Sequence, residues 1–273
     1  HGDGRCGGQP AGSGQGGLLG GGAPGRMLAM TDGTNDAESR LARIERLLEN
    51  REREVAPAWR RATRGEPRWA VTAVILVAVA LQLAVPHGLA LQPYWALPAL
   101  EAVLLAGLVA ANPRRVEPRG RWLRWLGLAL ISVISLANGW AAVRLVAGLV
   151  NGTEGEDAGP LLLTGGGIWL TNVIVFALWY WEWDRGGPMA RARGHHQFAD
   201  FLFVQMQSPE TAPADWEPAF LDYLYLSFTN STAFSPTDVM PLSRWAKMLM
   251  MLQSSISLVT VVLVVARAVN ILR

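Results

Sequence analysis

The sequence predicts an all-α integral membrane protein with five transmembrane helices and a re-entrant helix before the last of them. Three observations carry this. Of 273 residues, 51% are hydrophobic and only 17% charged, and the mean hydropathy is positive, a balance typical of membrane chains. Several apolar runs recur at or beyond roughly the 20 helical residues that cross the ~30 Å hydrocarbon layer. Finally, Ala219 to Phe234 is apolar and aromatic but too short to cross, and Pro236 stops it from continuing.

Residues 1–36 form a Gly-rich leader with nothing to bury and are expected to be disordered. The leader lacks a signal peptide's apolar region, and Met27 or Met30 is the expected start. Residues 37–68 read as a charged helix followed by a basic juxtamembrane segment. Leu41, Ile44 and Leu48 form a narrow apolar seam, which suits either a surface helix or an aid to oligomerisation.

The region 69–183 holds four runs, at 69–85, 94–111, 122–150 and 161–183, with Trp and Tyr gathered at their ends as an interfacial belt. Residues 184–218 contain Pro188, Pro209, Pro213 and Pro218 and are too broken to cross lipid. Residues 219–273 supply the short helix and a final span at 242–272.

The arginines orient the chain. Arg60, Arg61, Arg64 and Arg68 precede the first run, Arg114, Arg115, Arg119, Arg121 and Arg124 lie before or at the start of the third, and Arg185, Arg191 and Arg193 follow the fourth, whereas the intervening loops carry no Lys or Arg. The positive-inside rule then makes the N-terminus cytoplasmic and the C-terminus external. Net charge is only +2, and these blocks suit membrane orientation better than nucleic acid.

The final span carries a polar stripe of Gln253, Ser257, Thr260 and Arg267, which reads either as the lining of a water-filled path or as internal packing. Four copies of Arg267 around one lumen would repel cations. Glu101 and Arg144 each lie about 10 Å inside the outer ends of their spans, placed for an intramembrane ion pair or a transport relay. Asn138 and Asn172 read as interhelical hydrogen-bonding residues, and Gly165-Gly166-Gly167 as a site of close helix packing.

Cys6 is the single cysteine, and His195-His196 lacks a third ligand, so no metal and no cofactor is expected. No nucleophile elbow, HExxH or EF-type loop occurs, and the expectation is no enzyme.

Residues 222–247 resemble the pore loop of the potassium-channel superfamily. Asp222, Tyr225 and Ser227 match its pore-helix Asp, Tyr and Ser, Thr232 its threonine near the helix end, and Asp238 its filter-closing aspartate. Pro241, Ser243, Trp245 and Lys247 keep the spacing that follows, with Ala246 at the usual glycine. The filter itself departs: Ala233-Phe234-Ser235-Pro236-Thr237 replaces Thr-Val-Gly-Tyr-Gly, and without both glycines the backbone cannot turn successive carbonyls toward an ion. A potassium-channel pore loop also enters from outside, whereas the arginines put this one inside. Either the insertion is inverted or the rule fails at one span.

The chain is also similar to bacterial inner-membrane proteins of unknown function with four spans, an aromatic re-entrant segment and a final span. The resemblances imply an inner-membrane homo-oligomer, a tetramer, in contact with lipid and with monovalent ions as the permeant class. Two functions stand at this level, ion permeation through a non-standard filter and a non-conducting adaptor or assembly protein that retains the fold. A secondary transporter is a third, supported by Glu101 and Arg144 but without an inverted repeat.

Overall fold

The computed structural model describes residues 40–45, 58–61, 63, 65–111, 121–153, 157–194, 198–233 and 238–272. The chain divides into two compact units, His1–Val55 and Ala56–Arg273. In the first, residues 40–45 are helical and include Leu41 and Ile44 of the expected seam. Leu48, the leader, Cys6, His195 and His196 lie outside the described residues.

The second unit is mostly helical. Its helices are α1 (Trp69–Ala84), α2 (Ala96–Ala111), α3 (Arg121–Asn151), α4 (Ala158–Trp183), α5 (Pro188–Ala192), α6 (Val204–Gln207), α7 (Phe220–Thr232) and α8 (Arg244–Ile271), with two short strands, β1 (Phe201–Leu202) and β2 (Met240–Pro241). Prolines and caps set the boundaries. Pro86 and Pro93 bracket the connection between α1 and α2, because neither supplies an N–H and each disfavours helix just before it. Ser243 caps α8, its hydroxyl accepting the Ala246 N–H.

Three helical stretches, Trp122–Asn151, Ala158–Gly186 and Arg244–Ile271, are long and apolar enough to cross a membrane. This is fewer than the five spans expected. Helices α1 and α2 have 16 residues each, about 24 Å, because the proline-bracketed connection takes the residues that would have lengthened them. Part of that connection is drawn inward: Leu89 is buried among Ala141, Leu145 and Leu161.

Helix α4 is the centre, packed against α1, α3, α7 and α8. Every residue from Thr171 to Leu178 is buried, so this stretch is covered on all sides, as a helix apolar all round requires. Nearer its start, a Cβ on Gly165 would meet Val264 of α8 at 2.7 Å, whereas one on Gly166 would meet nothing. Close packing in the glycine run is therefore confined to Gly165 in this pair of helices.

Helix ends gather at two faces. The start of α1, the end of α2, the start of α3 and the end of α4 share one face: Arg68 donates to the Leu108 carbonyl, the Trp181 indole donates to Glu66 at 2.7 Å, and Arg124 lies 3.6 Å from Glu182. Arg60, Arg61, Arg185, Arg191 and Arg193 also belong to segments at this end.

The described residues among 184–218 cap this arginine face. They are more embedded than their prolines suggested, with Phe201, Phe203 and Met206 all buried. The cap is organised by Asp184, which is fully buried. It accepts the Tyr223 hydroxyl at 2.6 Å, the Asp200 N–H at 3.0 Å and the Arg185 Nε–H at 3.2 Å.

The turn that makes this possible has positive φ at Arg185 (52°), Gly186 (79°) and Gly187 (94°). At Gly187 a Cβ would sit 2.6 Å from the Glu182 carbonyl, so only glycine fits. Arg185 accepts a left-handed backbone because its groups are held at both ends: its N–H by Asp200 at 2.9 Å and its guanidinium by the Trp59 carbonyl at 2.7 Å.

Candidate functional site

Helix α7 is the short aromatic helix, and its 13 residues measure about 20 Å. Two carboxylates hold its N-terminus. Asp222 accepts the Ala219 N–H at 2.7 Å, and Glu66 accepts the Phe220 N–H, both favourable at the positive end of a helix dipole. Withdrawal from water pushes the Glu66 carboxyl above its ordinary value, while the Phe220 and Trp181 donors pull it back.

From that end α7 runs antiparallel to α4, reaching only its middle: Ser227 donates to the Val173 carbonyl at 2.6 Å, and the Phe228 ring meets Trp169 edge-on at 5.9 Å. Helix α8 starts at the same face, since the Trp245 indole donates to Asp200 at 2.9 Å. Strand β2 is there too, with Met240 opposite Leu202 and Pro241 opposite Phe201. The chain thus descends half the length of α4 as helix and is back at its starting face by Met240. The intervening residues 233–239 can cover about 23 Å when extended, enough for the return.

A buried polar cluster fixes α7 at that depth, with Gln253 of α8 at its centre. Its amide oxygen accepts the Tyr180 hydroxyl at 2.6 Å and the Asn230 amide at 2.8 Å. Its amide nitrogen reaches the Ser227 hydroxyl at 2.6 Å and the Ser231 hydroxyl at 2.7 Å. Asn230 also donates to the Met250 carbonyl at 3.1 Å, and one turn further along, Asn172 donates to Ser257 at 3.1 Å. All of these side chains are buried.

Within the protomer Gln253 therefore meets α4 and α7 and Ser257 meets α4, and Thr260 is buried as well. Arg267 is half-buried near the outer end of α8.

The other expected residues fall as follows. Tyr225 is exposed and donates to the Asp238 carboxylate at 2.9 Å, joining the pore-helix tyrosine position to the filter-closing one. Thr232 and Ala233 are exposed. Phe234, Ser235, Pro236 and Thr237 lie outside the described residues. The open face of α7 is Leu221, Tyr225, Phe228 and Thr232, at helical spacing.

Glu101 and Arg144 are not brought together. Glu101 is fully buried, whereas Arg144 is exposed and approaches the Gly88 carbonyl at 3.5 Å. One side chain is enclosed and the other open, so the expected ion pair does not form. Asn138 is buried.

No family model, curated protein or solved structure matches the chain. The geometry alone speaks for the site.

Sequence reasoning missed Glu66, Tyr180, Asn230 and Ser231. Asn230 and Ser231 stand three and four residues after Ser227, the spacing of one helix face, and that was a usable signal. Tyr180 was absorbed into the aromatic belt. Among the described residues no group of His, Cys, Asp and Glu could hold a metal ion.

Proposed function

We propose that this chain is a multi-pass membrane protein whose α7 segment re-enters from the arginine-rich, cytoplasmic face, and that it assembles, as a tetramer, into an ion-permeation pore. The observation that carries the reading is the shared starting face of α7 and α8 with α7 stopping at mid-depth. Irregular backbone at such depth is tolerated only where protein buries it or a water-filled cavity receives it. One protomer leaves the outer face of α7 open, which favours other copies around it. Helices α1 and α2 complete five membrane-inserted helices, short in themselves but supported by the inward-folded connection at Leu89.

In this reading Thr232, Phe234, Ser235, Thr237 and Asp238 form the constriction. Phe234 is a hydrophobic gate and Asp238 a ring of charge that attracts cations. Tyr225 orients the Asp238 carboxylate through its hydroxyl. The polar face of α8 acts as a brace. Monovalent permeant ions come with the potassium-channel resemblance, and the bacterial inner membrane with the similarity to inner-membrane proteins of unknown function.

The test is reversal potential in planar bilayers under potassium, sodium and chloride gradients. Asp238→Asn is expected to lower cation preference, and unchanged selectivity removes Asp238 from the path. A second reading, a non-conducting adaptor that keeps the fold, is favoured by the way Ser227, Asn230 and Ser231 are all consumed within the protomer. Reproducible silence from a folded oligomer, or a strict monomer in detergent, supports that alternative.

A further inference from the structure

At the arginine face, α1, α2, α3 and α4, together with Pro188 and Met189, line a cleft of about 660 Å³, a volume that includes the space open to solvent at its mouth. Its walls are apolar, formed by side chains such as Val71, Ile75, Leu105, Leu130 and Leu178. Arg68 and Arg124 line it as well, with Glu182 as the single carboxylate. Arg124 Nε lies 3.6 Å from Glu182, and that nitrogen is buried without a hydrogen-bond partner. Trp69, Trp122 and Trp125, beside these arginines in sequence, are all exposed, as rings at headgroup level are.

We infer that this cleft holds one acyl chain of an anionic glycerophospholipid, with the lipid phosphate against Arg68 and Arg124. The apolar part of the walls suits a hydrocarbon tail. The two guanidinium groups suit a phosphate, which they recognise through paired N–H donors. Two cations against one carboxylate leave the lining positive. A zwitterionic headgroup brings its own ammonium to that excess, and an anionic one does not. Basic pockets between helices on the cytoplasmic side are where anionic headgroups collect. The inference shares only the membrane placement with the proposed function, so it stands or falls independently of whether the oligomer conducts.

The structure supplies a selective variant. Gly127 lines the cleft, and a Cβ added there meets nothing within 4 Å, so Gly127→Leu adds bulk at the cleft wall without a clash at its first carbon. Full-length protein in detergent is titrated with phosphatidylglycerol or phosphatidylcholine and read by native mass spectrometry. Wild type is expected to keep one phosphatidylglycerol per chain in preference to phosphatidylcholine. Arg124→Gln is expected to weaken retention about fivefold, the worth of one cation near an anionic surface. Gly127→Leu is expected to lose the lipid while keeping the wild-type melting temperature in lipid-free detergent.

Inorganic phosphate at the same concentrations is expected not to displace the lipid. Equal retention of the two lipids by wild type overturns the inference, as does undiminished retention in Arg124→Gln. Displacement by phosphate alone overturns it by making the mouth a simple anion site. Should Gly127→Leu melt early, the lipid preference of wild type and its change in Arg124→Gln decide the matter.

Discussion

Glu66 precedes α1 and holds two elements far from it in sequence, the Trp181 indole of α4 and the first N–H of α7. Its carboxyl is raised from 4.5, chiefly by burial, so the folded chain binds this proton more tightly than the unfolded one. The sign follows: the contribution of Glu66 to stability is full below pH 4.5 and is lost as pH rises through that value toward the raised one. Melting temperatures in detergent from pH 4 upward are expected to contain this fall in wild type and to lack it in Glu66→Gln. Equal pH slopes in the two proteins refute the assignment.

Asp184 and Arg185 make a comparable point, since their identity as charged residues beside a span suggested only orientation. A carboxylate met by several donors and an arginine in left-handed backbone depend on residues far along the chain, and no local pattern announces them.

At the scale of elements, Gln253 couples α8 to α7 and α4 at one point. Replacing it with Leu takes the side-chain partner from the hydroxyls of Tyr180 and Ser231, each worth about 1–3 kcal/mol when unsatisfied, while Ser227 and Asn230 keep the Val173 and Met250 carbonyls. Gln253→Leu is expected to destabilise the fold by about 2–4 kcal/mol, with faster hydrogen exchange concentrated in residues 220–232. Unaltered exchange there shows that apolar packing alone holds α7.

This element also shows what a single sequence can and cannot deliver. The apolar runs are legible because lipid imposes length and composition, and the helices match them to within a few residues. The stripe of Gln253, Ser257 and Thr260 is legible as a face, since helical spacing defines a direction. What that face meets is not legible, because it depends on the register of α8 against α4 and α7. Residues 184–218 hid their role for a related reason: Phe201, Phe203 and Met206 are isolated apolar residues in a polar stretch, and only tertiary packing collects them.

Across the whole molecule, the helix ends sort into an arginine-rich face and an opposite one that carries the ends of α1, α3 and α8. If the positive-inside rule governs, Thr153, exposed after α3, and Glu210, exposed in the cap, lie on opposite sides of the membrane. In a chain whose only native cysteine, Cys6, is replaced by Ser, Thr153→Cys is expected to react with an impermeant maleimide in intact cells and Glu210→Cys only after lysis. The reverse pattern inverts the molecule and would place the α7 loop on the external side.

The half-depth of α7 also constrains the order in which the protein can be made. A helix of 13 residues is too short to be laid across the bilayer on its own as it is synthesised. Its polar inner face has partners only once both α4 and α8 are present. Until then Tyr180 and Asn172 of α4 wait without Gln253 and Ser257. If α7 re-enters as proposed, it folds inward only as α8 is threaded, and the segment resembling a pore takes shape after the helices that hold it.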